Sequence, residues 1–320
     1  MAKFPIVVVG ASAGGVDALR VLLCGLSESL PAAIGAVIHI GPHSIQLPES
    51  IGRSSPFPTC YAEDGERLQM RTVYLAPPDQ HLLMNDDHLQ LTRGPRENFT
   101  RPAVDPLFRS AAESFGPLAI GIVLSGNLSD GTAGLWEIKR RGGIAIAQNP
   151  DDAEFPGMPS SAAEHVEIDY CIGVKEMGEL VSRLVIELAA MAPVSRQAAG
   201  GRLMSYSAAK PVALICPECG GAMQEEAIGT YIQYRCHIGH VFGRDDMAAA
   251  QLNALEQSFG ASLRLLKERM ELCRRAAKTA EAAGQAEEAG FWEKAAEESE
   301  SRVRSLTDLL ESGWKRPELG

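Results

Sequence analysis

Basic residues are in short supply in this chain, with 30 Lys and Arg against 41 Asp and Glu and a formal net charge of -11. A surface of that sign gives no counterion-release gain on a phosphate backbone, so nucleic acid is excluded as the main partner. Long apolar runs are lacking too, and none approaches the roughly 20 residues that cross a bilayer. The Met1 to Val9 stretch is too short and too lightly charged for a secretory signal, and no small-residue cleavage site follows it. A cytoplasmic protein without membrane insertion is expected. The cysteines number seven, an odd count that does not suit a disulfide framework. No internal repeat is visible. The glycine-rich start lacks the second glycine of a dinucleotide fingerprint, where Ser12 stands, and the Lys-Ser/Thr ending of a P-loop.

What is present is a chain of 320 residues, enough for more than one domain with a buried core. Up to about Ala190, short β-branched runs alternate with helix-period segments, the pattern of a parallel sheet covered by helices. Strands are expected at Phe4 to Val9, Ile34 to Ile40, Val73 to Ala76, Leu118 to Leu124 and Gly143 to Gln148, and a hairpin set into that pattern at Leu82 to Thr92. Helices are expected at Gly15 to Cys24, Asp105 to Glu113, Gly131 to Arg141 and Lys175 to Ala190. The fold class is therefore α/β, a doubly wound, mostly parallel sheet with a β-hairpin insertion, followed by a small zinc module and an αα-hairpin. The domains are drawn at 1–192, a Ser-, Ala- and Gly-rich linker at 193–206, a cysteine module at 207–243 and a helical hairpin at 244–320. The tail segments are expected to fold independently of the sheet.

The first strand stops at Gly10-Ala11-Ser12-Ala13-Gly14-Gly15. A G-x-S-x-G turn between a buried strand and a helix puts a serine hydroxyl on a sharp bend beside free helix N–H groups, which makes Ser12 a candidate nucleophile. The competing reading is a glycine turn that only joins strand to helix or holds a phosphate. A serine needs a base, commonly a histidine held by a carboxylate. His39 follows the second strand, and Asp130 follows the strand ending at Leu124. Residues just beyond the carboxyl ends of parallel strands share one crevice, so Ser12, His39 and Asp130 form a candidate triad. Taken singly, a packed histidine and a Ser-Asp-Gly turn are ordinary structural features. The order Ser, His, Asp differs from the Ser, Asp, His of α/β-hydrolases.

Cys216-Pro217-Glu218-Cys219, followed by Cys236-His237-Ile238-Gly239-His240, has the spacing of a tetrahedral structural Zn²⁺ site. The expected ligands are Cys216, Cys219, Cys236 and His240, with His237 as the alternative fourth. A redox C-x-x-C is the rival, but no βαβ pattern surrounds it. Cys24, Cys60, Cys171 and Cys273 read as core thiols. In the terminal hairpin Leu252, Leu255, Phe259, Leu263, Leu266 and Met270 recur at helical spacing, with Trp292, Val303, Leu306 and Leu309 to face them. Self-packing of the two helices is the expectation, and docking of a partner helix the alternative.

Val7 to Gly15, Ile38-His39, Tyr74 to His81, Arg101 to Phe108, Leu124 to Gly134, and Ala147-Gln148-Asn149 with Pro156 to Pro159 occur in the order seen in CheB-type chemotaxis receptor methylesterases. The chain resembles that family over roughly its first 190 residues. The resemblance implies a serine-type hydrolase that removes methyl esters from glutamate γ-carboxyls of methyl-accepting receptors, releases methanol, and deamidates receptor glutamines as a second activity. Ser12 would be the nucleophile, His39 the base and Asp130 its orienting acid. The N–H groups of Ala13 and Asn127 would face the oxyanion, and His81 and Arg101 would sit at the rim or behind it. Catalysis would need no cofactor. Two departures stand out. The family usually carries a receiver domain ahead of the esterase, so control here would come from a separate protein in trans. The loop before the acid reads Gly126-Asn127-Leu128 where a Gly-Met-Gly-like or Gly-Thr-Gly-like run is usual. Tails with a CPxCGG knuckle and an RCxxGH end resemble those of receiver-less members. The alternative is a degenerate esterase domain acting as a regulatory or binding module in a sensory complex.

Overall fold

A computed structural model describes residues 4–39, 46–191 and 209–313. Its centre is a seven-stranded sheet of β1 (Ile6–Ala11), β2 (Ala33–Ile38), β3 (Thr59–Tyr61), β4 (Val73–Leu75), β7 (Ala119–Val123), β8 (Ile144–Gln148) and β9 (Tyr170–Ile172), in the order β3-β4-β2-β1-β7-β8-β9. Every pairing in it is parallel. The chain starts in the middle, winds outward through β2, then returns to β7 on the other side of β1. That reversal makes the carboxyl edge of β1 and β7 the topological switch point, where such sheets open a crevice.

Both faces are covered, so the strands are apolar throughout and side-chain parity decides which layer each residue joins. Val7, Val9 and Ala11 pack with α1 (Gly15–Cys24) and α6 (Val174–Met191). Ile6 and Val8 pack with α3 (Val104–Phe115), α4 (Thr132–Arg140) and α5 (Gly157–His165). The short α2 (Leu47–Gly52) precedes β3. The segment expected as a hairpin inserted in the sheet is β5 (His81–Asn85) with β6 (His88–Thr92), and it forms its own two-stranded ribbon. It lies on α3, where Met84 N–H donates to Ser110 Oγ at 2.9 Å. The sheet pattern expected from sequence lacks β3, β9, α2 and α5, which are short and carry little period.

The expected core thiols separate. Cys273 is buried and Cys60 partly so, whereas Cys24 and Cys171 are exposed. Cys24 ends α1 on its outer side, and Cys171 lies in an edge strand that covers only one face.

The cysteine module is a four-stranded antiparallel meander of β10 (Lys210–Ile215), β11 (Ala222–Ile228), β12 (Tyr231–Cys236) and β13 (Val241–Gly243). The chain divides into two compact units, Met1–Met247 and Ala248–Gly320, so the meander belongs to the same unit as the sheet rather than standing apart. The expected linker, 193–206, lies outside the described residues. The terminal helices are α7 (Arg244–Ala282) and α8 (Ala286–Glu311), divided at Gly284. Asp246, Met247 and Ala250 are buried at the start of α7, and beyond them the buried positions are small: Cys273, Ala277 and Ala280 on α7, Ala289, Ala296 and Ser299 on α8. Leu255 and Leu309, expected to pack across the pair, are exposed, and an Arg274–Glu300 ion pair at 3.0 Å joins the helices.

Candidate active site

Ser12 leaves the end of β1 on a tight turn. Gly14 has φ +70°, and a Cβ there would stand 2.8 Å from Ser125 Oγ and 2.9 Å from Glu154 Oε2, so both conformation and space require glycine. The turn is tied to the loop after β7. Ser12 N–H donates to Ser125 O at 2.9 Å, and Ser125 Oγ donates to Ala13 O at 2.8 Å. Gln148, at the end of β8, holds Ser125 N–H through Oε1 at 2.9 Å and reaches Asp152 Oδ2 through Nε2 at 2.8 Å. Three strand ends are thereby cross-linked around the serine.

His39 follows β2 directly, and its N–H donates to Ala11 O at 3.0 Å. Because Ala11 pairs with Ile38, the residues next in line are Ser12 and His39, one on each of two adjacent strand ends. His39 Nε2 lies 2.8 Å from Asp130 Oδ2 and 3.2 Å from Thr100 Oγ1.

Asp130 is buried at the amino end of α3. Val104 N–H donates to Oδ2 at 2.7 Å, and Asp105 N–H to Oδ1 at 3.2 Å. Asn98 Nδ2 adds a bond to Oδ1 at 3.0 Å. Burial alone would push the carboxyl up, but the His39 contact and these donors outweigh it and hold Asp130 below the ordinary carboxylate range. Its neighbour Asp105 behaves the other way. Full burial and the Asp130 charge raise it well above that range, although Gly134 N–H donates to it at 2.7 Å. Of two adjacent buried acids, Asp130 carries the charge. Asn98, Thr100 and the α3 N–H groups are site elements that sequence reasoning missed. The signal available is slight: a polar Asn-Phe-Thr stretch a few residues ahead of a helix start.

The other expected site residues fall in two groups. Asn127 is exposed and Ala13 half-buried. The N–H groups of both have no hydrogen-bond acceptor among the described residues. A Cβ on Gly126 would lie 2.8 Å from Ser12 Cβ, so the 126–128 loop flanks the hydroxyl. The loop is pinned by Gly126 N–H to Phe155 O at 2.9 Å and Met158 N–H to Gly126 O at 2.8 Å. Leu128 takes φ +64°, the conformation a glycine would adopt freely. His81 does not line the crevice. It is 2 % exposed, accepts Ala103 N–H through Nδ1 at 3.2 Å and reaches Pro95 O through Nε2 at 2.9 Å. With Nδ1 accepting, Nε2 carries the proton, and burial pushes its pKa down, so His81 is a neutral brace for the loop that ends in α3. Arg101 is held by Asp79 Oδ1 at 2.7 Å and by Gly94 O at 2.8 Å.

The second cluster lies in the meander. One ligand atom from each of Cys216, Cys219, Cys236 and His240 falls within 4.8 Å of the rest. The closest pairs are Cys236 Sγ to His240 Nδ1 at 3.5 Å, Cys216 Sγ to His240 Nδ1 at 3.7 Å and Cys219 Sγ to Cys236 Sγ at 3.7 Å. Four donors about 2.0–2.3 Å from a shared tetrahedral centre stand about 3.5–3.8 Å apart, so this Cys₃His set can hold one metal ion. His237, the alternative fourth ligand, is not one of these four, and its ring lies against Gly221.

A switch-point crevice with a serine on a strand-to-helix turn, and a histidine–carboxylate pair at the end of the adjacent strand, defines the class as a doubly wound α/β protein. The CheB methylesterase family matches residues 7–181, and the chain belongs to it. A protein of Leptospira interrogans, provisionally named a protein-glutamate methylesterase/protein-glutamine glutaminase, is 37% identical over 184 residues, covering 57% of this chain and 95% of its own length. Protein-glutamate methylesterase/protein-glutamine glutaminase 2 of Methanosarcina acetivorans is 33% identical over 189 residues, 56% of this chain and 53% of that protein, so the match spans about half of the latter. The crystal structure of the Thermotoga maritima CheB methylesterase catalytic domain superposes with a TM-score of 0.55 at 32% identity, over 57% of this chain and 99% of that one. Among the described residues no helix is long and apolar enough to cross a membrane.

Proposed function

We propose that the chain hydrolyses γ-glutamyl methyl esters on the cytoplasmic helices of methyl-accepting receptors, with Ser12 as nucleophile, His39 as base and Asp130 as orienting acid. The observation that carries this reading is the register of β1 and β2, which sets Ser12 beside a histidine bonded to a charged, buried aspartate. With Nε2–H given to Asp130, Nδ1 is the nitrogen left to take the Ser12 proton. Ser12 Oγ adds to the γ-carbonyl carbon as His39 takes that proton, and the oxyanion faces the free N–H groups of Ala13 and Asn127. Collapse expels the methoxy group, which takes the proton from His39 and leaves as methanol. Water repeats the addition, the glutamyl group leaves Ser12, and free glutamate is restored. The same path with an amide leaving group gives ammonia, which supports glutamine deamidation as a second activity, as named for the relatives.

The left-handed Leu128 favours a working site over a degenerate one, because the loop keeps the path a glycine would take. We further assign the Cys₃His set to a structural Zn²⁺, since four protein donors leave no open position for substrate. The test is methanol release from methylated receptor membranes. Ser12→Ala should lower turnover by a factor on the order of 10⁴ while the protein stays folded. Methanol release equal to the parent would remove Ser12 from the reaction.

A further inference from the structure

The cysteine module lies against the back of the proposed triad. Strand β13 follows the ligand His240 directly and runs beside the loop 96–100. Asn98 N–H donates to Val241 O at 2.8 Å, Gly243 N–H donates to Asn98 Oδ1 at 3.0 Å, and Val241 N–H reaches Arg96 O at 3.4 Å. Phe242 is fully buried and meets Phe99 edge to face, ring centroids 5.2 Å apart. The loop so gripped is the one that serves the site. Asn98 gives its Nδ2 protons to Asp130 and Asp105, and Thr100 stands beside His39 Nε2. Asn98 and Phe99 have φ +48° and +65°, two successive left-handed residues, a conformation that asparagine tolerates and that is strained for phenylalanine.

A second set of contacts holds the acid's own loop. Ser129, the residue before Asp130, is buried and donates through Oγ to Asp246 Oδ2 at the start of α7, while Tyr231 OH from β12 lies 2.9 Å from Ser129 Oγ. A Cβ built on Gly243 would fall inside contact distance of both the Tyr231 hydroxyl and Ser129 Oγ, so the seam is closed. Without the module, Asn98 Oδ1, Asn98 N–H and Ser129 Oγ each lose a partner.

We propose that β13 and the first turn of α7 are positioning elements of the esterase site: Gly243 and Val241 fix Asn98 on Asp130, and Asp246 with Tyr231 fixes the Ser129–Asp130 loop. The metal module is then a working part of the catalytic unit rather than a separate appendage. This rests on the triad reading given above. An acid held out of register orients His39 poorly in the transition state while leaving ester binding intact, so the effect belongs in kcat and not in KM.

The test uses the full chain with methylated receptor membranes, measuring kcat, KM and bound metal. Asp246→Ala removes the Ser129 acceptor, and Gly243→Ala drives a methyl group into the seam; neither touches the triad or a metal ligand. Each should lower kcat by roughly 10-fold, the loss of about one hydrogen bond in a charged network, with KM within about twofold and metal retained. Asp246→Asn, which keeps an acceptor oxygen, should restore kcat to within about threefold of the parent. Tyr231→Phe, an isosteric change that folds most readily, should lower kcat by about threefold. Parental kcat in Tyr231→Phe and Asp246→Ala overturns the proposal, and so does a rise in kcat, which would make the module a cover. An unchanged KM with a kcat that Asp246→Asn fails to restore also overturns it. Ser12→Ala in the same assay separates the two readings. If Ser12→Ala is active, the triad reading fails and takes this one with it. If Ser12→Ala is inactive and the seam variants are normal, only the positioning role fails.

Discussion

Asp246 and Leu128 show what single residues contribute beyond the proposed triad. Burial holds the Asp246 carboxyl up at about 7; the charges of Asp130 and Asp245 add to this, while the Ser129 hydrogen bond and His39 work against it. The unfolded chain releases that proton near pH 4, so between about pH 4 and pH 7 the folded state keeps a proton that the unfolded state has lost, and stability falls as pH rises through the window. Asp246→Asn removes this dependence. Its stability relative to the parent should therefore improve from pH 5 to pH 8, by about 2 kcal/mol in paired urea titrations. A difference that stays constant across that range would show that Asp246 does not titrate there. Leu128 is a different case. A leucine in the left-handed region costs about 1 kcal/mol, and its side chain is exposed enough to return little packing. Leu128→Gly should raise the melting temperature by about 2–4 °C with kcat/KM no lower than the parent, read by calorimetry and methanol release. A fall in stability would mean that the leucine packs more than it strains.

Among the elements, the meander is the one that carries the Cys₃His set able to hold a metal ion. β10 is mostly exposed, and Cys216 and Cys236 are among the buried side chains of the module, so a metal bound there would add directly to its folding free energy. Cys216→Ser should lower bound metal below one equivalent per chain and speed amide exchange in β11 and β12. Because β13 supplies partners to Asn98 and Arg96, exchange at Asn98 should accelerate as well. Slow exchange at Asn98 in metal-free protein would show that the loop holds itself. The parallel strands are legible in the sequence because burial on both faces writes them as unbroken apolar runs, and Ser12, His39 and Asp130 are legible because they stand at the ends of those runs. Asn98 is not, since its role depends on a strand 143 to 145 residues further along. The meander shows only its ligand spacing, and its alternation is broken by Gly220, Gly221 and Gly229. The four leucines and Phe259 of α7 suggest a bulky helical seam, yet the buried face is made of alanines, because periodicity gives a stripe without saying which stripe meets the partner.

At the scale of the whole molecule, the unit from Met1 to Met247 joins two parts that sequence composition separates. A tail tethered by a linker would melt on chelation without disturbing the sheet. The seam argues for coupling. Ile228 and Tyr231 pack with Ala133 and Trp136 of α4, His165 of α5 meets the Tyr231 ring at 5.4 Å, and Gly229 lies against the Trp136 indole. Losing these contacts uncovers α4 and α5 and strips partners from Asn98 and Ser129, a loss of several kcal/mol. For a unit of this size about 2–4 °C of melting temperature follows each kcal/mol. Stripping the metal should therefore lower the main calorimetric transition of the sheet by about 10 °C or more and lower kcat together with it. Restoring Zn²⁺ should recover both. A main transition that stays in place while the metal is gone would mean that sheet and meander fold as strangers that merely touch.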